Sequence, residues 1–588
     1  MRDLMRSHAP RPAGARRLVA IALGALASAS ALSAVVAGCG STKAVNPSPD
    51  GSSSPTSSLD GAPSPGSDAS VLSDAGALPP DASSASRWCV GSGDGPTDGG
   101  AGGASRWVYV ADGSLQYAAL DAGDHILDFS YAGYGGGGVS LPVVPALQTV
   151  SPSGSDGGGD DTPAIQAAID AVSKLPLANG LRGAVLLAPG TFELAGSLSI
   201  KASGVVLRGS GSGSSGTLVK ITGAPRAVLS IAGTGNYATV GTAATITDPY
   251  VPSGARSFHV SSAAGLAVGT AVLVTRPVTT AWVAFMGMDQ LVRNGMKQTW
   301  IAPGSTIPSD RVITAVSGSE VTVDAPLSDS LDSTYVTPPG ATVQAYTFAG
   351  RIEEVGLESI HFIAPQQTVA INNPTYTFLD MSAVLDAWIS DVVAEEFTNG
   401  IVLGSTAKWV TIEDTSVLRA APIDADAGLP TNYSIDGQQT LVQRSIAQAN
   451  DMFAYATMSR APGPNVLLAF DAKGSPIHVQ PHERWATGVL ADNVSIPTGS
   501  IDYINRGTDG SGHGWAIGFG VVWNSTASTL TIMQPPGSQN WAIGTTGAFA
   551  KTDTGIVDSP GVPVVPRSLY LAQLCERLGP GALANIGY

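Results

Sequence analysis

The sequence predicts an all-β solenoid, and three observations carry that prediction. With 71 glycines, 40 prolines and only 13% charged residues, the composition suits a turn-rich β protein better than a helical one. Short apolar runs recur at 355–357, 388–389, 408–412, 440–442, 465–468, 488–490 and 520–523, roughly 21 to 34 residues apart, near the coil length of repeat solenoids. The body of about 480 residues is also too long for one small globular core, whereas a solenoid grows by stacking.

The amino terminus reads as an export signal. Arg2, Arg6, Arg11, Arg16 and Arg17 precede an uncharged run over 18–36, and Ala37-Gly38-Cys39 follows, which is signal-peptide order. Val36-Ala37-Gly38-Cys39 resembles a bacterial lipobox, and that resemblance implies removal of residues 1–38, acylation of Cys39 and, with Gly40 next, an outer-membrane address. A transmembrane anchor is the alternative, but alanine, serine and glycine make the run weakly apolar. From residue 41 to about 105 the chain is Ser, Pro, Asp, Gly and Ala, with too few large apolar side chains to offset the entropy of ordering. Residues 39–105 are therefore expected to form a flexible tether. The protein is expected in the cell envelope, held at a membrane by its lipid or released outside the cell, and as a monomer.

The net charge of −16 excludes a general nucleic-acid surface, and any anionic ligand must meet a local basic cluster. Besides Cys39 the chain has Cys89 and Cys575. Outside the cytoplasm these form either a disulfide or two independent thiols, and sequence does not supply the Cα separation that decides.

The folded part opens on a helix signal. Asp160-Asp161-Thr162-Pro163 precedes Ile165, Ile169 and Val172 at helical spacing, with Thr162 as N-cap and Pro163 as first helical residue. Short strands follow at 184–187, 191–194, 198–200 and 204–207, broken by glycine turns. Gly211-Ser212-Gly213-Ser214-Ser215-Gly216 satisfies a dinucleotide-binding glycine pattern, but 217–221 reads as a strand rather than the helix that should hold phosphate. It is taken as a turn. The stretch from Gly159 to Asp170, with Gly183-Ala184-Val185-Leu186-Leu187-Ala188-Pro189-Gly190-Thr191-Phe192, resembles the opening of pectate-lyase-superfamily proteins. That resemblance implies a right-handed parallel β-helix whose first coil is capped by the helix, beginning within 106–247.

Residues 248–346 change texture, with alternating strands around Trp282-Val283-Ala284-Phe285-Met286, and are expected to be a β-rich insertion in which Trp282, Met286 and Trp300 form one wall of a groove. Residues 347–588 continue the β-helix. A carboxy-terminal helix bearing Leu569, Leu571, Leu574 and Leu578 is expected to cover the last sheet edge.

The segment of greatest chemical interest is Pro481-His482-Glu483-Arg484-Trp485-Ala486-Thr487-Gly488. It is answered by Asp492-Asn493, Asn505-Arg506-Gly507, Gly512-His513-Gly514-Trp515, Trp523-Asn524, Gln534-Pro535-Pro536 and Gln539-Asn540-Trp541. The His-x-Arg-Trp-Ala-Thr-Gly, Asn-Arg-Gly and Gly-His-Gly-Trp signatures resemble those of the same bacterial superfamily, over residues 159–588. Where relatives have a His-Asp pair, this chain has Asn450-Asp451.

If coils stack, His482, Arg484, Arg506 and His513 meet on one face. β-Elimination of an acidic glycan needs a cation for the sugar carboxylate and a base for the neighbouring carbon-bound proton. Arg484 or Arg506 suits the first role, and His513 or His482 the second; the alternative is that His482 and Arg484 only brace a turn. Trp485, Trp515, Trp523 and Trp541 are candidate sugar platforms, one or two of them exposed, with Asn493, Gln534 and Asn540 as polar contacts. Glycoside hydrolysis would call on Glu483, Asp492, Asp502 or Asp509, which form no paired motif. A non-catalytic carbohydrate-binding surface protein is the third class, and would leave the four side chains pointing apart. No cofactor is demanded. Calcium is one that lyases of this fold use, although no calcium loop is present and Asp424-Ala425-Asp426 is too short to be one.

Overall fold

The computed structural model describes residues 85–90, 103–154, 159–550 and 554–588. The segment read as an export signal, 1–38, and Cys39 lie outside those residues, as does most of the stretch read as a tether. No helix among the described residues is long and apolar enough to cross a membrane.

The body is a right-handed parallel β-helix. One ladder of register partners runs through Val185, Leu207, Leu357, Ile389, Ile412, Val442, Leu467, Ala491, Val522, Ala542 and Val557, each on the coil after the last. A parallel column passes through Leu198, Leu229, Leu379, Ile401, Tyr433, Tyr455, Val479, Ile501 and Leu530. A third lies between them in chain order, through Val417, Ala447 and Ala472. Alternate side chains point inward, and these ladders, apart from the half-buried terminal Val557, form one continuous apolar interior. The corner after the first column repeats a left-handed residue on successive coils: Ser359, Asp391, Asp414, Arg444, Ala469, Asn493 and Asn524 have φ between 43° and 56°. Asparagine and aspartate tolerate that conformation best, which accounts for several of these choices.

Helix α1 (Thr162–Ser173) packs Ile165, Ile169 and Val172 over the first coil. Its cap differs from expectation: Thr162 is the first helical residue, and Asp160 accepts its backbone N–H at 3.0 Å. The glycine-rich 211–216 segment is a turn between strands Val205–Arg208 and Thr217–Ile221, as expected.

The insertion forms its own antiparallel six-stranded sheet, in the order Ala238–Thr245, Thr342–Thr347, Ala271–Pro277, Thr306–Ser317, Glu320–Val323, Ser257–His259. It starts ahead of 248 because Ala238–Thr245 is small, polar and mostly exposed, with no apolar alternation to read. It grows from the corner between the second column listed above, after Ala232, and the first, before Ile352. A buried ionic group docks it on the solenoid. Asp310 of the insertion meets Lys408 at 3.1 Å and Arg351 at 2.9 Å; burial alone would raise the Asp310 carboxyl, but Lys408 and Arg351 hold it below the usual range.

Helix α2 (Leu569–Leu578) and helix α3 (Pro580–Asn585) do not cover the last sheet edge. They lie across the outer face of the first column, over Leu441, Val466, Leu468, Leu490, Val521, Trp523, Trp541 and Ile543, together with Phe129 from the amino-terminal segment. Those strands carry large apolar side chains on both faces, as parallel strands covered on both sides do. Gln573 of α2 accepts from the Phe129 backbone and donates to the Leu127 carbonyl.

Residues 85–90 and 103–105, inside the stretch read as a tether, are built onto this face. Cys89 and Cys575 form a disulfide with a Cα separation of 5.4 Å. Gly103–Ala104 pairs in parallel with Val564–Val565.

Candidate active site

Stacking places one functional group after another at the corner following the Leu198–Leu530 column. Thr457 and Met458 follow strand Met452–Ala456, His482 and Glu483 follow Ile477–Val479, and Arg506 follows Ser495–Tyr503. The insertion springs from the same corner lower in the solenoid, so it arrives beside this column. Dozens of residues of sequence separation thereby become a few ångströms.

The four residues selected from sequence do meet. Arg506 Nη1 donates to His482 Nδ1 at 2.9 Å and to the His482 carbonyl at 3.1 Å. The rings of His482 and His513 have centroids 4.7 Å apart. Glu483 joins the other two: its Oε2 lies 3.2 Å from His513 Nε2 and 2.5 Å from Arg484 Nη1. Arg484 also donates to Ser511 Oγ at 2.5 Å. Phe453 closes one side, edge-on to His482 at 5.1 Å between centroids.

The chain is bent sharply to achieve this. Arg484 and Trp485 are consecutive left-handed residues, with φ of 50° and 69°, a conformation costing roughly 1–3 kcal/mol per residue and concentrated at functional sites. Three backbone hydrogen bonds to the next coil hold it: Arg484 to His513, Trp485 to Trp515 and Ala486 to Ala516. The bend sends the indole of Trp485 inward and leaves Arg484 at the surface.

The site has two tiers. Arg484 is the member that lines an open cleft of about 600 Å³, with Arg293, Lys297 and Ser511. Glu483 and Arg484 keep 16% and 20% of their side-chain surface, whereas Arg506 keeps 7% and His513 only 2%. Burial, then Arg506, His513 and Arg484, lower the His482 pKa well below its usual value. Burial, then Arg506, Arg484 and Arg293, lower His513 to about 3. Both rings are neutral at ordinary pH. Because arginine has only donors, His482 Nδ1 must accept and its proton sits on Nε2. A ring so committed has no lone pair for a substrate proton, and His513 is buried and weakly basic, so neither histidine fits the base role considered for it. Glu483 does.

Asp436 was not singled out in the sequence. It follows strand Thr431–Ile435, two coils below Glu483, and its carboxylate accepts from the backbone N–H of Met458 on the coil between them. Burial raises it to about 7, and the nearby Glu483 adds to the rise. Its only sequence signal is an acid in the Ile435-Asp436-Gly437 turn, indistinguishable from other turn aspartates.

Several other selected residues are structural. All four tryptophans are buried, none above 7% exposed, so the expected exposed sugar platform is absent among them. Trp485 donates to Asp329 at 2.9 Å and Trp515 to the Met286 carbonyl at 3.0 Å. With Trp282, Met286 and Trp300 they form a closed core joining insertion to solenoid; the expected groove wall is interior packing. Trp523 donates to the Pro566 carbonyl beneath α2, and Trp541 packs edge-on against Trp107. Asn540 is fully buried, accepting from Gly520 and donating to the Met533 carbonyl. Asn493 is a corner residue that donates to the Arg567 carbonyl. Gln534 is exposed in the loop whose Gly537 sits against Phe285.

Among the hydrolase candidates, Asp492 is buried and caps α2 through Ser568 and Tyr570. Asp502 accepts from Ser500 on the outer strand face, and Asp509 pairs with Arg506 at 3.4 Å. Donor atoms of His482, Glu483 and His513 lie within 4.8 Å of one another. One carboxylate and two imidazoles suit zinc by ligand type, not calcium, which takes six to eight oxygens. The guanidinium groups of Arg484 and Arg506 set against Glu483 and His482 oppose a cation of either kind.

No family model matches the chain, and no curated protein matches it. Among solved structures, the tailspike protein gp49 from Pseudomonas phage LKA1 is 13% identical over 68% of this chain and 70% of its own, with a TM-score of 0.35. The A-module of mannuronan C-5 epimerase AlgE6 from Azotobacter vinelandii is 12% identical over 69% and 87%, with a TM-score of 0.30. At these scores the likeness assigns no substrate or reaction.

Proposed function

We propose that the protein is a polysaccharide lyase that cleaves an acidic, uronic-acid-containing glycan by β-elimination. The observation that carries this reading is the cleft: in a chain of net charge −16, Arg293, Lys297 and Arg484 line it, and no acidic residue is among its described lining. Cations gathered in one concavity of an acidic protein concentrate an anionic ligand there. Arg484 links that cleft to Glu483.

In this reading Arg484 pairs with the sugar carboxylate and stabilises the negative charge that develops on it. Glu483 takes the proton from the carbon beside that carboxylate. The electrons of the carbon–hydrogen bond form the new double bond, the glycosidic carbon–oxygen bond breaks, and the proton is passed to the leaving oxygen, with no water consumed. His513 and Arg506 act behind these groups as positioning residues, His513 through Glu483 and Arg506 through His482. His482 offers its Nε2–H to the developing charge. The export signal and Cys39 would hold the enzyme in the cell envelope on a tether.

One observation favours hydrolysis as a second reading. Asp436, near Glu483 and raised to about 7, is the type of protonated carboxyl that donates to a glycosidic oxygen. Products separate the two on a panel of uronic-acid polymers. Elimination yields unsaturated, ultraviolet-absorbing ends and survives Asp436→Asn, whereas hydrolysis yields reducing ends alone and does not.

A further inference from the structure

One part of the insertion stands apart from its sheet. Val292–Arg293 and Met296–Lys297 form a small antiparallel hairpin beside the site. Arg293 Nη1 and Gln298 Nε2 both donate to the Gly510 carbonyl, at 2.8 and 3.1 Å. Gly510 lies so close to His513 that a Cβ there would fall 2.0 Å from Nε2. The hairpin is thus latched to the loop that carries His513, and the cleft lies between them. Arg293, Asn294 and Lys297 form one wall, and Arg484 and Ser511 the other. A volume of about 600 Å³ is in the range of small-ligand sites and admits more than one sugar ring.

We infer that this hairpin is a second anion-binding subsite opposite Arg484, so that the preferred glycan carries acidic groups on neighbouring sugars. The inference rests on the acidic-glycan reading above and narrows its substrate class. Arg484 is already shared with Glu483 and Ser511 and serves one carboxylate. Lys297 is exposed and lines the same cleft, and no described acid lines that cleft to neutralise it. Like charges facing one cavity repel until a ligand with more than one negative charge lies between them. A glycan with an acid on every sugar meets both walls; one with alternating neutral sugars leaves one wall without a partner.

The test is equilibrium binding of the full chain to two soluble polymers, a homopolymeric uronan and a polymer alternating uronate with neutral sugar. The wild type should bind the homopolymer about 10-fold more tightly, Lys297→Gln should lose about 3- to 10-fold of homopolymer affinity, and Lys297→Glu should lose more. Lys297 is exposed at a hairpin end, so neither change threatens the fold. Lys220→Gln, exposed on strand Thr217–Ile221, serves as the charge-loss control. Equal wild-type affinity for both polymers, no binding of the homopolymer, or homopolymer binding by Lys297→Gln as tight as wild type each overturns the inference. Tight, Lys297-dependent binding without unsaturated products instead overturns elimination and leaves the subsite standing.

Discussion

Arg506 Nη1 donates to His482 Nδ1 across 2.9 Å, and this single contact fixes the chemistry of the ring. A guanidinium cannot accept, so the imidazole is neutral with its proton on Nε2. Replacing Arg506 with Gln removes one of the charges that lower the His482 pKa, so that pKa should rise, read from imidazole nitrogen shifts during an NMR titration. Activity should fall about 10- to 100-fold through lost orientation. An unchanged His482 titration would mean the contact does not govern the ring.

His513 gives a pH dependence of stability whose sign is determined. Its pKa is depressed to about 3 in the fold from about 6.5 in the unfolded chain, so the unfolded state binds more protons between those values. The contribution is whole above about pH 6.5 and is lost progressively as pH falls towards 3. Denaturant midpoints measured from pH 7 to 4 should decline less steeply in His513→Gln than in wild type. Parallel declines would show that His513 does not set the pH dependence of stability.

The tryptophans under α2 bear on stability rather than on sugar. Trp523→Ala and Trp541→Ala should each cost about 3–5 kcal/mol, seen as a lower unfolding midpoint. Glycan affinity of the folded fraction should stay at the wild-type value. A variant that keeps its midpoint but loses binding would restore the platform role.

The Cys89–Cys575 bond ties the amino-terminal segment to α2. Cys575→Ser should destabilise by about 2–5 kcal/mol and open the outer face over Trp541, measurable as faster hydrogen exchange in residues 541–543. Protection equal to wild type would show that packing alone holds that face.

What sequence disclosed followed from periodicity and local chemistry. The ladder from Val185 to Val522 was legible because inward positions must be apolar on every coil. The convergence of His482, Arg484, Arg506 and His513 was legible because coils of similar length return the chain to the same corner. Exposure was not legible. Trp541 alternates with the inward Ala542 and so points outward, but outward is not solvent once α2 and residues of the amino-terminal segment cover that face, and nothing local to Trp541 announces Trp107, more than four hundred positions away, as its partner. The roles within the cluster were hidden for a related reason: that Arg484 is the member lining the cleft depends on the consecutive left-handed residues Arg484 and Trp485, a backbone choice no side-chain pattern encodes. Asp436 was missed because its raised pKa comes from burial by other coils.

In the proposed reaction Glu483, backed by His513 and joined to the cationic cleft by Arg484, removes a proton from an acidic sugar. The most direct measurement is the initial rate of ultraviolet-absorbing product from a uronic-acid polymer, for wild type and for Glu483→Gln at equal bound substrate. The wild type should form unsaturated ends steadily, and the variant should lose about 10²- to 10⁴-fold of that rate. Unsaturated product released at an undiminished rate by Glu483→Gln would contradict this role of Glu483.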